Sequence, residues 1–407
     1  MNVFKHAFFL CQVVMGADVL ADQCKTGESV TNFGAWFSLG ARLTASQPFQ
    51  PIKAPAGQWT VDSMKLRLEV ASGTDRQWHL LVYAPDYRVL ASFGPNDFTD
   101  KGQLTVSRWT GRLFHDRVQV ELVTARPDSD IVIKIPAGIA LPKESGDQRV
   151  FSVQTPGVVG WNDLFPKNGA MGDILPRKAG AKVGMLMTAQ QSPGGNRSAW
   201  CCSAMMISPS LALTNWHCGG DNSWMQPADY WEGNVCVNAT LDLAWDGGTI
   251  RRQYNCTHVE AKSDALDYAV LRVQPVVGSG GVAGEPVYER LANTPDAKLD
   301  DAFIVHHSMC QIKQVSDKCK VLTLDHPNWL KGDGPREITH DCDTEHGASG
   351  AAVFNAQGQM IALHHLGFRR DPQTCERLDR VNKAVPLSHI IVDLKKNTPE
   401  LANELGL

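Results

Sequence analysis

The sequence predicts an all-β chain that closes on a helix, and three observations predict it. Short runs alternate apolar and polar residues with a period of two. Gly, Pro and Asp punctuate those runs. Near the C-terminus the period becomes helical. In the first half, Leu66, Leu68 and Val70 alternate with Lys65, Arg67 and Glu69. Val118, Val120 and Leu122 alternate with Arg117, Gln119 and Glu121, and Ile131, Ile133 and Ile135 follow Asp130. Such alternation places one apolar face on each antiparallel strand. A β-sandwich is the simplest way to bury two such faces against each other. Strand-like runs resume at Val183-Gly-Met-Leu-Met187 and continue to Leu366. The segment Pro386–Lys396 then offers Ser388 as an N-cap, Ile391 and Leu394 at helical spacing, and Lys395 and Lys396 at the negative end of the dipole.

A chain of 407 residues suits two domains, since domains run to about 100–200 residues. Apolar residues make up 43% and charged residues 20%, which excludes wholesale disorder. The net charge is −4, and no basic run offers a phosphate-binding face, so nucleic acid is not expected as a partner. Lys5 and His6 precede an apolar stretch from Ala7 to Gly16, and Val19 and Ala21 fit the site a signal peptidase favours. Residues 1–21 therefore read as a signal peptide, and the product as secreted, extracellular or periplasmic. The apolar stretch is too short for an anchor, and no later segment is apolar over the roughly 18 residues a span needs. Residues 22–150 then form an accessory β-sandwich, 151–179 a Pro/Gly/Asn-rich linker, 180–396 the second domain and 397–407 a tail.

The chain has 11 cysteines, and Cys11 leaves with the leader. The even remainder suits disulfides in an oxidising compartment. No CxxC pair is present, so neither a metal nor another cofactor is expected. Asn196, Asn238 and Asn255 head sequons that matter only in a glycosylating pathway.

The chemistry-bearing residues lie in the second half. His217 ends the run Leu211-Ala-Leu-Thr-Asn-Trp-His-Cys218, which puts an imidazole at a strand end. A disulfide between Cys202 and Cys218 would clamp that loop. Ser349 lies in Gly347-Ala-Ser-Gly-Ala351. A hydroxyl needs a base and a site for developing negative charge before it can act as a nucleophile. The flanking glycines permit a turn that aims the N–H groups of Gly347 and Ser349 at one point as an oxyanion hole. An aspartate just before a buried strand can hold a histidine in one tautomer. Asp264 and Asp267 compete for that place, and the spacing to Ala269-Val-Leu271 favours Asp267.

In the order His, Asp, Ser these three segments resemble the "LTAAHC", "D-x-A-L-L" and "G-[DN]-S-G-G/S-P" motifs of the trypsin/chymotrypsin superfamily. The α/β-hydrolase order is Ser, Asp/Glu, His, and that fold also wants Gly where this chain has Ala351. Phe303–Ser316 resembles the "HP-x-G-x-x-K" hairpin of bacterial trypsin-like peptidases. Cys342-Asp-Thr344 and Leu363-His-His-Leu-Gly367 resemble their "CDT" and "GLHH-x-G" segments. The resemblance covers about residues 180–396 and is closest to the glutamyl endopeptidase-like group. It implies a chymotrypsin-like double β-barrel with the triad in the cleft between barrels. It also implies a secreted serine endopeptidase acting on protein or peptide substrates, with Thr344 and His364 binding a Glu or Asp side chain before the scissile bond. The runner-up is a secreted binding or adhesion protein with a degenerate protease domain. Beside Cys202–Cys218, the expected disulfides are Cys310–Cys319, Cys342–Cys375, Cys236–Cys256 and Cys24–Cys201. One departure is notable: Ala348 stands where insertion-activated relatives carry Asp, so the familiar zymogen ion pair is absent.

Overall fold

Alternating strands in the first half fold into two four-stranded sheets. One orders Ala35–Leu43, Val132–Pro142, Val61–Ser72 and Ser107–Trp109; the other orders Phe49–Lys53, Arg117–Thr124, Trp78–Tyr83 and Val89–Phe93. The computed structural model describes residues 35–55, 60–100, 103–104, 107–142, 165–166, 174–191, 197–219, 236, 239–245, 252–276, 287–293, 295–327, 334–367 and 381–407. The leader 1–21, Cys24, Cys375, Asn196, Asn238 and most of the segment 151–179 lie outside them. Leu66, Leu68, Val118, Val120, Leu122, Ile131, Ile133 and Ile135 all enter the sandwich core, as their period predicts.

The polar face of the first sheet does not face water. Lys65 is fully buried and donates to Thr240 Oγ1 at 3.0 Å, across to the second half of the chain. Trp36, Trp109, Ala137, Ile139 and Leu141 share one core with Met185, Met187, Cys201, Trp245 and Cys310. Trp36 and Trp109 meet edge-on at 5.6 Å, and the Arg112 guanidinium lies 4.2 Å above the Trp245 ring. Asn255 accepts from Trp109 N–H at 3.3 Å and donates to Trp109 O at 3.0 Å. Gln253 Oε1 accepts from Arg112 N–H at 2.9 Å. These polar groups are buried and paired, so the join is a specific one.

The second half builds two barrels. Strands Val183–Gln191, Arg197–Ser208, Leu211–Thr214, Tyr268–Pro275, Gln253–Ser263 and Ala239–Asp242 close in that order. Strands Gln314–His326, Asp301–His306, Ala352–Asn355, Met360–Leu366, Asn382–Pro386 and Glu337–His340 form a second ring, closed where Glu337–His340 pairs again with Gln314–His326. The short strand Phe165–Pro166 adds to its edge.

Three sequence expectations change. The C-terminal helix runs Leu387–Asn397 with Pro386 rather than Ser388 at the N-cap. Its buried stripe is Leu387, Ile390 and Leu394, and Ile391 packs only partly. Beyond it, Pro399–Glu404 forms another helix, whose Leu401 and Ala402 join the core shared by the two barrels. Tyr268 Oη donates to Asp393 at 2.6 Å, and Arg272 pairs with Glu404 at 2.6 Å, so this tail straps the first barrel. Within the linker range, Ile174–Gly180 is helical and buries Ala179 in the same core.

Disulfides also differ from the expected set. Cys202–Cys218 and Cys236–Cys256 are joined. Cys310, however, pairs with Cys201, and Cys319 pairs with Cys342. The pairings Cys310–Cys319, Cys342–Cys375 and Cys24–Cys201 therefore do not form. The reason is local. Cys310 follows a left-handed turn at Met309 and faces the first barrel, while Cys319 and Cys342 lie in the same core cluster.

Candidate active site

Antiparallel pairing of Leu211–Thr214 with Tyr268–Pro275, in the register Thr214↔Ala269, brings two loop ends together. One continues into the turn Trp216–Cys218 and carries His217; the other begins at Asp267. Asp267 has φ of +46°, a left-handed conformation that Asp tolerates better than most residues. Asn215 Nδ2 donates to Asp267 O at 2.8 Å and fixes that backbone. Asp267 Oδ1 accepts the His217 main-chain N–H at 2.9 Å, and Oδ2 faces His217 Nδ1 at 2.7 Å. Both side chains are buried. Asp264 is exposed three residues earlier.

Burial alone would raise the Asp267 pKa. The charge and hydrogen bond of His217, with a bond from His365, outweigh that cost and hold the carboxyl well below its usual range. Asp267 is therefore an anion at neutral pH. It fixes the His217 proton on Nδ1 and leaves Nε2 as the free base.

The Ser349 turn is pinned from the first barrel. Ser203 N–H donates to Ser349 O at 2.7 Å, and Ser203 Oγ donates to Gly347 O at 2.9 Å. Thr214 Oγ1 in turn donates to Ser203 O at 2.8 Å. Gly350 has φ of +83°, and a Cβ there would lie 2.2 Å from Ser203 O and 2.4 Å from Thr214 Oγ1. The serine turn thus sits directly on the strand end that leads to His217. Ala348, Gly350 and Ala351 N–H groups donate to Glu345 O, His364 O and Ala348 O, each at 2.9 Å. The N–H groups of Gly347 and Ser349 have no acceptor among the described residues. Gly347 has φ of +95°, and a Cβ there would meet His307 O at 2.5 Å and Cys201 Sγ at 3.0 Å, so the Cys201–Cys310 disulfide backs this turn. Among the described residues no hydrogen bond joins Ser349 Oγ to His217. Such bonds are commonly long before substrate binds.

His364 and Thr344 are both buried in the second barrel. The His364 main chain pairs with Gly350 N–H and Ala351 O, each at 2.9 Å, so it flanks the serine turn. Its Nδ1 lies 3.2 Å from His340 Nε2. Burial, and then the neighbouring histidines with His340 first, push His364 well below the ordinary imidazole range. Burial likewise lowers His306 and His340 to about 3. These three rings are neutral at pH 7, and His364 serves as a polar donor or acceptor rather than as a cation.

Sequence reasoning missed two groups, His365 and Glu337. His365 is fully buried, with Nδ1 3.3 Å from Asp267 Oδ2 and Nε2 3.3 Å from Glu337 Oε1. Period-two alternation at His364-His365 was the available signal, since one of two adjacent strand histidines must face the triad side. A donor cluster of Cys202, His217 and Cys218 lies within 4.8 Å, but both sulfurs are spent in a disulfide and are not thiolate ligands. Among the described residues no helix is long and apolar enough to cross a membrane.

Residues 202–363 match the family model of the trypsin-like peptidase domain, a span that holds His217, Asp267 and Ser349. No curated protein matches the chain. Among solved structures, the chain is similar to the Rv3671c protease in its inactive form, at 14% identity, covering 55% of this chain and 92% of that one, with a TM-score of 0.38. A Ser343Ala mutant of Rv3671c from M. tuberculosis H37Rv gives 14% identity over 57% and 95%, with a TM-score of 0.37. The serine endoprotease from Yersinia pestis gives 15% identity over 55% and 64%, also with a TM-score of 0.37.

Proposed function

We propose, from a chain that carries a trypsin-like peptidase domain, that it is an exported serine endopeptidase working through an acyl-enzyme. The observation that carries the reading is the doubly bonded pair of Asp267 and His217, at 2.9 and 2.7 Å, set against the Gly347–Gly350 turn. In this reading Ser349 Oγ attacks the scissile carbonyl while His217 Nε2 takes its proton. Asp267 stabilises the resulting imidazolium. The free N–H groups of Gly347 and Ser349 hold the oxyanion. His217 then returns the proton to the leaving amine, and water repeats the sequence to release the acid. The Cys202–Cys218 bridge and the other disulfides support an oxidising destination.

The finer proposal is a preference for Glu, with Asp next, before the scissile bond. Thr344 and His364 supply hydrogen-bond donors beside the serine turn. In this reading His340 Nε2 donates to His364 Nδ1, so that His364 Nε2 carries the N–H a substrate carboxylate meets. The test combines fluorophosphonate labelling with a peptide library. Wild type labels and Ser349→Ala does not, with folding intact; undiminished labelling of Ser349→Ala refutes the nucleophile. Equal cleavage after Glu and after Leu refutes the acid preference and leaves the peptidase reading standing.

A further inference from the structure

The carboxylate that orients His217 is shared. Asp267 Oδ2 receives His217 Nδ1 at 2.7 Å and His365 Nδ1 at 3.3 Å. The other nitrogen of His365 faces a second buried carboxylate, Glu337, at 3.3 Å. A neutral imidazole has one N–H and one lone pair. Here each nitrogen lies 3.3 Å from a carboxylate oxygen, with hydrogen-bond alignment to Asp267 on the Nδ1 side and a distance contact alone to Glu337 on the Nε2 side, and the ring is fully buried. A lone pair facing an ionised oxygen would be repelled in so buried a site. With Glu337 ionised, the arrangement that pairs both carboxylates is the one in which both nitrogens carry hydrogen.

We propose that His365 is a permanently protonated positioning residue, whose imidazolium is clamped between Asp267 and Glu337, holds the Asp267 carboxylate in place for His217 and offsets part of its charge. This rests on the peptidase reading above only for its consequence in turnover. With Asp267 partly neutralised, an imidazolium formed on His217 during turnover is stabilised less. The clamp thus extends the acid side of the working range. Beyond Asp267 and Glu337, the titratable groups coupled to His365 are His340 and His364, which are in turn coupled to His306, His217 and Lys383. His306, His340 and His364 are neutral, and Lys383 Nζ is bound to the carbonyls of Gly367 and Val381. Burial disfavours charge on His365, but its bonds to Asp267 and Glu337 prevail and raise it to about 9.

A unit charge that shares a carboxylate with a titrating group, at an effective dielectric near 20, shifts its titration by on the order of one pH unit. The test uses the full chain with Glu337→Gln, and with Glu337→Gln combined with His365→Gln so that no carboxylate is left buried alone. The acid limb of kcat/KM should move up by as much as about one unit in the double variant, which removes the nearer positive charge together with the farther negative one, and should not move up in Glu337→Gln, which removes a negative charge alone. In parallel, NMR titration of ¹³C-labelled histidines should show one ring protonated to about pH 9 that is lost with His365→Gln. An acid limb that stays put in the double variant, folded by circular dichroism, overturns the proposal, and so does a His365 signal that titrates below 7. If wild type neither turns over peptides nor labels, the peptidase reading fails, and the NMR titration still decides this one.

Discussion

Replacing Gly350 with Ala puts one methyl group where the two barrels meet. Its Cβ would stand 2.2 Å from Ser203 O and 2.4 Å from Thr214 Oγ1, with Asn215 N at 3.2 Å. Two of these three are backbone atoms, and Ser203 O is itself held by Thr214 Oγ1 at 2.8 Å, so no flexible side chain can simply swing away. Left-handed backbone costs a non-glycine residue about 1–2 kcal/mol. Overpacking a tight site typically costs about 1–3 kcal/mol more. Parting the turn from the strand also weakens the 2.7 Å bond from Ser203 N–H to Ser349 O, worth about 1 kcal/mol. A loss on the order of 3–5 kcal/mol follows, or a drop of roughly 10 °C or more in Tm for a unit of this size. The function should suffer beyond the stability, because the displaced residue follows Ser349 directly. Differential scanning calorimetry gives the first quantity. Fluorophosphonate labelling at 20 °C, well below the transition, gives the second and should slow by at least tenfold. Gly40→Ala is the control, since a Cβ there meets nothing within 4 Å. A Gly350→Ala protein with Tm within 2 °C of wild type and a full labelling rate would refute this account of the serine turn.

Other consequences are equally open to measurement. Asp267→Asn should lower labelling by about four orders of magnitude, because an amide cannot accept both His217 donors, and proteolysis of the folded variant should remain slow. Replacing Cys201 and Cys310 together with Ser should cost about 2–4 kcal/mol in denaturant titration and should slow labelling, since their bridge backs Gly347; an unchanged midpoint would contradict this. Stability should fall on both sides of neutrality. His306, His340 and His364 are neutral when folded and take protons when unfolded, so the unfolded state binds up to three more protons as pH drops from about 6.5 towards 3. That is a slope of up to about 4 kcal/mol per pH unit, which His340→Gln should make shallower. His365 has the opposite sign. Its pKa is raised to about 9, so its contribution is complete below about 6.5 and lost as pH rises from there through 9.

What the sequence disclosed depended on how local each signal was. His217, Asp267 and Ser349 each lie beside their own strand end, so a short run of residues carries each one. The sandwich core was equally legible, because Leu66, Val120 and Ile133 announce their faces by alternation alone. The same alternation misled at Lys65, whose polar face meets the peptidase domain instead of water. Nothing near Trp36, Trp109 or Trp245 names a partner more than a hundred residues away. Cys310 and Cys319 sit at a spacing that suits a hairpin bridge, yet the turn at Met309 swings Cys310 towards Cys201. His365 carries no motif of its own beside His364. Its role depends on Glu337 and Asp267 arriving from two other strands, which no single segment records.

The bond pair between Asn255 and the Trp109 main chain bears on where this protein can be made. Asn255 heads the sequon Asn-Cys-Thr, and both ends of its amide are already engaged, at 3.3 and 3.0 Å, in the seam between sandwich and barrel. A sugar is added to such an asparagine while the chain is still emerging, before that seam exists. Once attached, it would act as a wedge between Trp109 and the barrel, and the shared aromatic core could not close. A host that glycosylates secreted chains would thus compete with folding at this one residue, whereas a host without that chemistry leaves the amide free to make its bonds.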